Sequence, residues 1–399
     1  MLLYISSEPL LTTCCVYSRD ADFKLNRNPF VETALAYALS YVYNLTGANL
    51  GAASITILAD NSYYSTNEDP TTSAASGKSD RFHNFRVPLP QAHKTGLGSS
   101  AALVTAFTAA VLTYYLPTTT FNLSTEKDKR KLHNLAQAAH CAAQGKVGSG
   151  FDVASAVYGS CLYRRFSPDI LAHHGEPGSF GFGKKLRELV QESETVWDTE
   201  IRKKEVRIPQ GVRLVMCDVS CGSQTPGMVK KMLKWRAGEG ERAERVWREL
   251  HEANGKVVED LREWAEVVAR GGGVKEGVSL EEVLARDLRG IRALVKRLSE
   301  ESGVAVEPPS QTKLLDACER IEGVIGGVVP GAGGYDAIAL LIKDDDTVVA
   351  GLQKLFAGWK FSNDQGESEG RVSMLGVREE MDGVELEDVK GYEQWLEKP

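Results

Sequence analysis

The sequence predicts a two-domain α+β protein, and three observations support that prediction. The chain has 399 residues, 42% of them hydrophobic, which is enough to bury two separate cores. Patterns typical of helices and of strands occur in both halves. A glycine-rich stretch, "HHGEPGSFGFGKK", and a polar stretch, "QESETVWDTEIRKKEVRIPQ", connect the halves near residue 200. We therefore expect an N-terminal domain at 1–200 and a C-terminal domain at 201–399.

The elements of the N-terminal half follow from hydrophobic periodicity and turn residues. The pattern predicts a helix over "PFVETALAYALSYVYNL" and a strand over "ASITILAD". Residues 101–116 are largely apolar on all sides and rich in alanine and leucine, which predicts a buried helix behind a glycine loop. A further helix is expected around 134–144, and a "GSGFD" turn opens the next helical segment, 153–158.

The C-terminal half begins with a predicted strand, "GVRLVMCDVS", and continues with three helical stretches between 228 and 299. Two apolar runs, "VIGGVV" and "AIALLI", then flank a glycine turn, "PGAGGYD". Alternating charges between 239 and 266 predict a solvated helix face that carries no chemistry.

Composition excludes several classes of function. The formal net charge is −7 and no basic run is long enough for a nucleic-acid footprint, so an anionic ligand must be held by a local basic cluster. The seven cysteines show no zinc spacing and indicate thiols in a reducing compartment. The opening "MLLYISSEPLLTTCC" lacks the basic region of a signal peptide, and no apolar run reaches membrane length. We expect a cytoplasmic protein with no nucleic-acid or membrane partner.

The stretch "KTGLGSSAALVTAFTAA", residues 94–110, is the first candidate site. Its two glycines allow the backbone to approach a ligand closely, and the loop ends where a helix begins. Free N–H groups and the positive end of the helix dipole converge at such a terminus, so an anion, most often phosphate, is the expected ligand.

Other interpretations of this loop differ in how well they fit. A Walker loop is excluded because Lys94 precedes the glycines and nothing basic follows Ser100. The dinucleotide pattern GxGxx[G/A] is met, but prolines precede the loop and no acidic residue follows about 20 residues later. A helix cap in which Ser99 or Ser100 accepts N–H bonds, with no ligand, is a further interpretation.

The loop resembles the second motif of the GHMP kinases, the superfamily of galactokinase, homoserine kinase, mevalonate kinase and phosphomevalonate kinase. "GKVGSGFDVASAVYGSCLYRRFSP" and "EPPSQTKLLDACERIEGVIGGVVPGAGGYDAIALL" resemble segments of fungal phosphomevalonate kinases, as do "HNLAQAAHCAAQGK" and "GSQTPGMVKKMLKW". The likeness runs from about residue 28 to residue 342. It implies an N-terminal ribosomal protein S5 domain 2-like fold and a C-terminal ferredoxin-like α/β sandwich.

The resemblance also implies transfer of the γ-phosphate of ATP, with Mg²⁺, to 5-phosphomevalonate in the isoprenoid and sterol route. The residues implied to cradle the ATP phosphates are Thr95, Gly96, Leu97, Gly98, Ser99, Ser100 and Ala101, with Gly331, Gly333 and Gly334 of the last glycine turn. Ser100 is the expected Mg²⁺ ligand, with Ser99 as the alternative. Lys94 is expected to neutralise a phosphate oxygen, although on position alone it is equally a solvent-facing lysine. The last glycine turn, by spacing alone, is equally a tight hairpin.

Asp152 matches the aspartate that related kinases keep beside the reacting group, as base or as orienter. By position alone it is an ordinary aspartate of a first helical turn. Phosphomevalonate carries a phosphate and a carboxylate, so its pocket needs positive charge and polar contacts. The candidates for substrate binding are Lys146, Ser149, Arg164 and Ser223. Arg165 is adjacent to Arg164 in an extended stretch, so only one of the two is expected to face the site.

The sequence departs from the family pattern at its start. A "PGK"-type strand and loop, whose lysine would lie near the transferred phosphate, is not found before Asn28. We therefore expect that lysine to be missing and the N-terminal sheet to have an unpaired edge, as in a truncated sequence or a natural variant. Three alternatives stay open: a catalytically inactive relative that binds small ligands or a partner, a related kinase acting on mevalonate or another alcohol, and a dinucleotide-dependent oxidoreductase.

Overall fold

The computed structural model describes residues 2–6, 28–60, 63–64, 82, 95–172, 174–191, 197–203, 205–220, 227–271, 279–363, 366–368 and 370–396. They form two compact units: Met1–Lys203 with Glu380–Pro399, and Lys204–Glu379. The sequence placed the division close to this point, after residue 200. It assigned residues 380–399 to the second domain, whereas they cluster with the first unit.

The first unit is built mainly from helices with two small antiparallel sheets. Its elements before the second unit are β1 (Leu2–Ser6), α1 (Pro29–Thr46), β2 (Ser54–Leu58), α2 (Ser99–Tyr115), α3 (Glu126–Gln144), α4 (Phe151–Tyr158), β3 (Leu162–Arg164), a 3₁₀ turn (Pro168–Leu171), α5 (Phe182–Gln191) and β4 (Glu200–Arg202). β1 pairs with β2 from Leu2 opposite Leu58 to Ser6 opposite Ser54. β3 pairs with β4, which sets Arg164 opposite Glu200.

The core of the first unit lies among α1, α2 and α3. Asn28 caps α1 by accepting hydrogen bonds from the N–H groups of Phe30 and Val31, and Gly47 ends it in a left-handed conformation. Buried residues lie on every side of α2, as its uniformly apolar sequence predicts. They pack with residues of α1 and α3 that include Tyr37, Tyr41, Leu132 and Leu135. The glycine loop is thus anchored to a helix that is itself fixed in the core.

The second unit combines a four-stranded antiparallel sheet with helices. Its elements are β5 (Val212–Ser220), α6 (Met228–Glu239), α7 (Glu241–Ala269), α8 (Leu280–Ser302), α9 (Pro309–Cys318), β6 (Val324–Val328), β7 (Ala337–Lys343), α10 (Asp346–Ala357), β8 (Phe361–Asn363), β9 (Gly366–Ser368) and β10 (Arg371–Met374). The strand order is β10-β5-β7-β6, and every pairing in it is antiparallel. β8 and β9 form a separate antiparallel pair. Ile338, Leu340 and Ile342 of β7 alternate into the core, the period of two that one buried sheet face requires.

About half of the residues of the charged helix α7 are exposed. Over its 29 residues, α7 buries Ala243, Val246 and Leu261. Its charged side chains form ion pairs such as the one between Glu249 and Arg297 of α8, with 2.7 Å between nitrogen and oxygen. Within the described ranges, every helix is too short or too polar to cross a membrane.

The C-terminal segment returns to the first unit and ends in α11 (Glu393–Leu396). The carbonyl oxygen of Glu380 accepts hydrogen bonds from the N–H and the hydroxyl of Ser160. The ammonium of Lys129 on α3 donates to the carbonyl of Asp382 at 2.9 Å. These contacts join residues more than 200 positions apart, which explains why local sequence patterns did not group this segment with the first unit.

Candidate active site

The glycine loop before α2 turns sharply at two residues. Gly96 and Gly98 have φ angles of 73° and 70°, the left-handed region that residues with a Cβ rarely adopt. Thr95 is buried, and its N–H donates to the carbonyl of Tyr63 at 3.2 Å. Nothing lies within 4 Å of the position that a Cβ of Gly96 would occupy. The loop is therefore anchored at its start and open at its first glycine. Lys94, predicted to neutralise a phosphate oxygen, lies outside the described residues.

The N-terminus of α2 carries no side-chain cap among the described residues. Its first backbone hydrogen bond runs from the N–H of Ala102 to the carbonyl of Gly98, at 3.0 Å. The N–H groups of Ser99, Ser100 and Ala101 precede that bond, so they have no partner within the helix. The interpretation of Ser99 or Ser100 as a simple helix cap does not match this geometry. The terminus has the donors and the dipole that an anion requires.

Asp152 lies directly against the glycine loop. It is in the first turn of α4, which begins after Gly150, another left-handed residue with φ 82°. A Cβ at Gly98 would lie 3.3 Å from the Cβ of Asp152. One carboxylate oxygen, Oδ1, accepts the N–H of Val153 at 3.0 Å, and the side chain is 23% exposed. The starts of α2 and α4 therefore bring a phosphate-binding type of loop and a partly exposed carboxylate together.

His140 of α3 connects the two helix starts and was missed by the sequence interpretation. Its Nε2 lies 3.0 Å from the hydroxyl oxygen of Ser100, and its Nδ1 lies 3.9 Å from Oδ2 of Asp152. Burial lowers the pKa of His140, and the nearby Asp152 carboxylate opposes that effect in part. One signal was present in the sequence: Gln137, His140 and Gln144 are polar residues at i, i+3 and i+7 in the alanine-rich second half of α3.

Two polar side chains, those of Gln137 and Tyr163, pack against the turn that precedes Asp152. A Cβ at Gly150 would lie 2.5 Å from Oε1 of Gln137 and 2.7 Å from the hydroxyl of Tyr163, so only glycine fits. The Tyr163 hydroxyl donates to the carbonyl of Ser149 at 2.9 Å, and burial raises the pKa of that hydroxyl. Ser149, a predicted substrate ligand, is exposed at the surface of the turn.

The two adjacent arginines of β3 and its end have different partners. Arg164 forms an ion pair with Glu200 across the β3–β4 ladder, 3.1 Å from Nε to Oε2. Arg165 donates from Nη2 to the carbonyl of Val147 at 3.0 Å, so it joins the same turn that Tyr163 supports. Alternation along an extended chain places 163 and 165 on one side and 164 on the other. The sequence analysis predicted Arg164 as the substrate-binding arginine. In the structure, Arg165 is the one that lies at the turn leading to Asp152. Lys146, at the start of this turn, is exposed.

The last glycine turn belongs to the second unit and connects β6 to β7. It spans residues 329–336, longer than the tight hairpin that the spacing allowed. A Cβ at Gly333 would lie 2.5 Å from the carbonyl oxygen of Val306, and the N–H of Gly334 donates to that same oxygen at 2.9 Å. The buried amide of Gln311 donates to the carbonyl of Tyr335 at 2.8 Å. Nothing lies within 4 Å of a Cβ at Gly331.

An apolar cavity of about 520 Å³ adjoins this turn within the second unit. Residues of α6, α7 and α8 and of the turn line it; they include Met228, Met232, Trp247, Leu288, Val329 and Ala332. Ser223, the predicted substrate ligand of this half, lies outside the described residues.

Protein side chains alone do not form a metal centre in the part of the chain that the structure describes. No three His, Cys, Asp or Glu side chains cluster there in a way that could hold a metal ion. The oxygen donors of the site are the hydroxyl of Ser100 and the carboxylate of Asp152. Mg²⁺ commonly takes only one or two protein ligands and completes its shell with phosphates and water, so this donor set fits a nucleotide-borne Mg²⁺.

Comparison with known families identifies both halves. The model for the GHMP kinases N terminal domain matches residues 83–160, and the model for the GHMP kinases C terminal domain matches residues 279–360. The first of these matches contains the glycine loop, His140 and Asp152. The second contains the last glycine turn.

The chain is similar over most of its length to curated phosphomevalonate kinases. It is 47% identical to that of Gibberella zeae over 377 residues, 94% of this chain and 79% of the relative. It is 47% identical to that of Aspergillus fumigatus over 384 residues, 93% of this chain and 76% of the relative. It is 34% identical to the peroxisomal phosphomevalonate kinase of Arabidopsis thaliana, over 91% of this chain and 79% of the relative.

Solved structures agree with the fold. The phosphomevalonate kinase of Streptococcus pneumoniae matches with a TM-score of 0.56 at 17% identity, over 88% of this chain and 83% of that one. The Lin0012 protein of Listeria innocua matches with a TM-score of 0.57 at 18% identity, over 90% and 83%. These likenesses confirm the predicted two-domain α+β kinase fold. Together with the family models and the curated relatives, they show that the chain belongs to the GHMP kinases and, among them, to the phosphomevalonate kinase family.

Proposed function

We propose that this chain transfers the γ-phosphate of ATP to 5-phosphomevalonate, giving 5-diphosphomevalonate and ADP. The observation that carries the proposal is the proximity of Asp152 to Gly98, which places a carboxylate beside a helix N-terminus without a side-chain cap. Phosphoryl transfer needs positioned phosphates, stabilisation of their charge and a group that orients the attacking oxygen. The first two are properties of the loop, and the third is a property of Asp152.

The loop from Thr95 to Ala101 would hold the phosphates of ATP through its backbone. The N–H groups of Ser99, Ser100 and Ala101 lack intrahelical partners, and the positive end of the α2 dipole lies among them. The open space at Gly96 lets a phosphate oxygen approach the backbone. Because Thr95 is buried, the loop has little freedom to move. The backbone N–H groups of the loop are therefore preorganised to donate to a phosphate.

Asp152 would orient the acceptor phosphate rather than act chiefly as a strong base. A phosphate monoester is already largely ionised near neutral pH, so little proton abstraction is required. The first turn of α4 fixes the carboxylate through the N–H of Val153 and leaves Oδ2 available. Alignment of the attacking oxygen with the γ-phosphate then supplies much of the rate.

Positive charge for the acceptor would come from Arg165 and Lys146. Lys146 lies at the start of the GSG turn, and the guanidinium of Arg165 donates a hydrogen bond to the carbonyl of Val147 in that turn. A guanidinium pairs well with a phosphate or a carboxylate, and 5-phosphomevalonate carries one of each. A local cluster of this kind is needed because the net charge of the chain is −7.

Mg²⁺ would be held by Ser100 and Asp152 together with the ATP phosphates. When bound, the ion would neutralise charge on the transferred group. The proposed roles of Lys94, Ser223 and the glycines Gly331, Gly333 and Gly334 stay predictions from the family resemblance. The same holds for the division into domains at 1–200 and 201–399, with ATP bound by the first, and for the cytoplasmic location. Substrate binding by Arg164 is likewise untested, and the pairing of Arg164 with Glu200 leads us to favour Arg165 for that role.

The test is ADP release by the purified chain with MgATP and either 5-phosphomevalonate or mevalonate. We expect ADP release that depends on 5-phosphomevalonate and falls by about 10²-fold in Asp152→Asn, because the attacking oxygen is no longer aligned. Asp169→Asn changes an exposed aspartate in another first turn of the same unit and serves as the matched control. Release with mevalonate but not with 5-phosphomevalonate would assign a different substrate. No release from a folded chain with either compound would support the inactive relative.

A further inference from the structure

His140 lies between two groups that the proposed reaction uses. Ser100 is on its Nε2 side at 3.0 Å, and Asp152 is on its Nδ1 side at 3.9 Å. Its side chain is 3% exposed, and the ring of Phe30 packs against it with 5.6 Å between ring centroids. A buried imidazole with polar groups on both nitrogens has a fixed orientation, so it can fix the orientation of its partners.

The neighbouring Gln144 determines which nitrogen of His140 carries the proton. Its amide nitrogen lies 3.3 Å from Nε2, and an amide nitrogen can only donate. Nε2 is therefore the acceptor of the neutral ring, and Nδ1 carries the proton on the side of Asp152. The Ser100 hydroxyl, at the shorter distance of 3.0 Å, then donates to the single lone pair of Nε2, which it shares with the Gln144 amide. The lone pairs of the Ser100 oxygen then face away from the ring.

We propose that His140 is a positioning residue that orients the Ser100 hydroxyl as an acceptor for a nucleotide-borne divalent cation while directing its own Nδ1–H toward Asp152. The inference rests on the proposed function, because it assigns the Ser100 oxygen to a metal–nucleotide. It differs from a purely structural role, in which His140 would only fill space beside Phe30. The two roles predict different effects of isosteric substitutions.

Three substitutions at His140 separate these roles. His140→Phe keeps a ring for Phe30 and removes both polar contacts. His140→Gln places an acceptor near the position of Nε2, whereas His140→Asn keeps a donor near Nδ1 and no acceptor near Ser100. His133→Phe is the matched control, because it removes the other buried imidazole of α3, whose ring contacts Tyr158 and Trp197.

The experiment is isothermal titration of the full chain with ADP, with and without Mg²⁺, supported by thermal melting of each variant. We expect His140→Phe and His140→Asn to weaken MgADP binding by about 10-fold to 100-fold, the range for losing one hydrogen bond to a charged group. Binding of ADP without metal should change by less than about 3-fold. We expect His140→Gln and His133→Phe to bind MgADP within about 3-fold of the parent chain.

A double-mutant cycle with Ser100→Ala tests whether His140 acts through Ser100. The double variant Ser100→Ala with His140→Phe should bind MgADP no more weakly than Ser100→Ala alone. Additive losses would overturn the proposal, as would equal MgADP affinities for His140→Gln and His140→Asn. If His140→Phe does not fold, the difference in MgADP affinity between His140→Gln and His140→Asn decides whether His140 is a positioning residue.

The titration needs no acceptor, so its outcome is independent of the phosphoryl-transfer assay. A parent chain that binds MgADP but releases no ADP with 5-phosphomevalonate would refute the proposed function and leave the role of His140 to be decided by the variants. A parent chain that does not bind MgADP at all would overturn the role of His140.

Discussion

The two glycine segments of this protein look alike in sequence and are built differently in structure. In "TGLGSS" the glycines keep the backbone open: nothing lies near Gly96, and the N–H groups after Gly98 precede the first hydrogen bond of α2. In "PGAGG" the backbone is packed: Gly333 lies against the carbonyl of Val306, and the N–H of Gly334 is bonded to it. The glycines therefore leave the backbone accessible in the first segment and allow close packing in the second.

The difference shows that glycine spacing alone does not identify a ligand site. The first segment is followed by a helix whose first N–H groups have no partner within that helix, and it lies beside a carboxylate. The second connects two paired strands, and its donors are partly used within the protein. Substitutions should accordingly affect ligand binding and catalysis in the first segment and folding stability in the second.

The largest expected effect is on the stability of the second unit. A Cβ at Gly333 would lie 2.5 Å from backbone oxygen, and its φ of 80° disfavours any other residue. We expect Gly333→Ala to lower the free energy of unfolding by about 2 to 5 kcal/mol, measured by urea denaturation. Gly331→Ala, in the same turn with a φ of 66° but open space, is the control and should cost about 1 kcal/mol. Equal losses would show that packing on Val306 is unimportant.

Substitution in the first segment should instead affect the reaction. In Gly98→Ala the new methyl group would meet the Cβ of Asp152 at 3.3 Å and strain a φ of 70°. We expect kcat/KM for MgATP to fall by about 100-fold, because a displacement of about 1 Å at a reacting centre can cost that much. Gly47→Ala, at the left-handed end of α1 with no neighbour within 4 Å, controls for backbone strain and should leave kcat/KM unchanged.

The adjacent arginines offer a smaller test of the first unit. Arg165 lies at the turn before Asp152, whereas Arg164 forms an exposed pair with Glu200. We expect Arg165→Ala to raise the KM for 5-phosphomevalonate by about 10-fold, the effect of losing a charge-assisted contact. Arg164→Ala should change KM by less than about 2-fold, since exposed ion pairs contribute little. The reverse result would restore the sequence-based choice of Arg164.

The smallest effect concerns the pH dependence of the second unit. Burial, together with Asp287, raises the pKa of Asp260 to about 6, whereas its contacts with Arg286 and Lys256 lower the pKa of Asp287. A raised carboxyl pKa stabilises the fold at low pH, and that contribution is lost as pH rises through about 6. The lowered pKa of Asp287 acts oppositely, because its contribution is lost only in strong acid.

We therefore expect Asp260→Asn to raise Tm by a few degrees at pH 8, where the parent carries two charged carboxylates at this position. The gain should disappear by about pH 5, and MgADP affinity should not change. Melting curves from pH 5 to pH 8 measure this. A gain that is constant across that range would contradict the assigned pKa of Asp260.

The predictable parts of the structure were those set by local sequence. An apolar helix, a glycine loop before it and an acidic residue after a GSG turn are patterns within a few residues, and α2, its loop and Asp152 are found where those patterns place them. The same is true of the alternating strand β7. Family resemblance then supplied what these pieces do together.

The remaining parts depend on contacts between distant residues. Arg165 rather than Arg164 lies at the turn because β3 pairs with β4 in a register that sets Arg164 opposite Glu200. His140 becomes part of the site only when α3 packs beside the start of α2, 40 residues away in the chain. Residues 380–396 join the first unit through bonds to Ser160 and Lys129. No local pattern specifies any of these pairings.

The central claim is that the open glycine segment binds the nucleotide phosphates through its backbone N–H groups. Hydrogen–deuterium exchange of the full chain, with and without saturating MgADP, measures those groups directly. We predict that MgADP slows exchange in peptides covering 95–102 and leaves α10 unchanged, because the N–H groups of Ser99, Ser100 and Ala101 have no partner in their own helix. Unchanged exchange over 95–102 in a chain that is saturated with MgADP would contradict the claim.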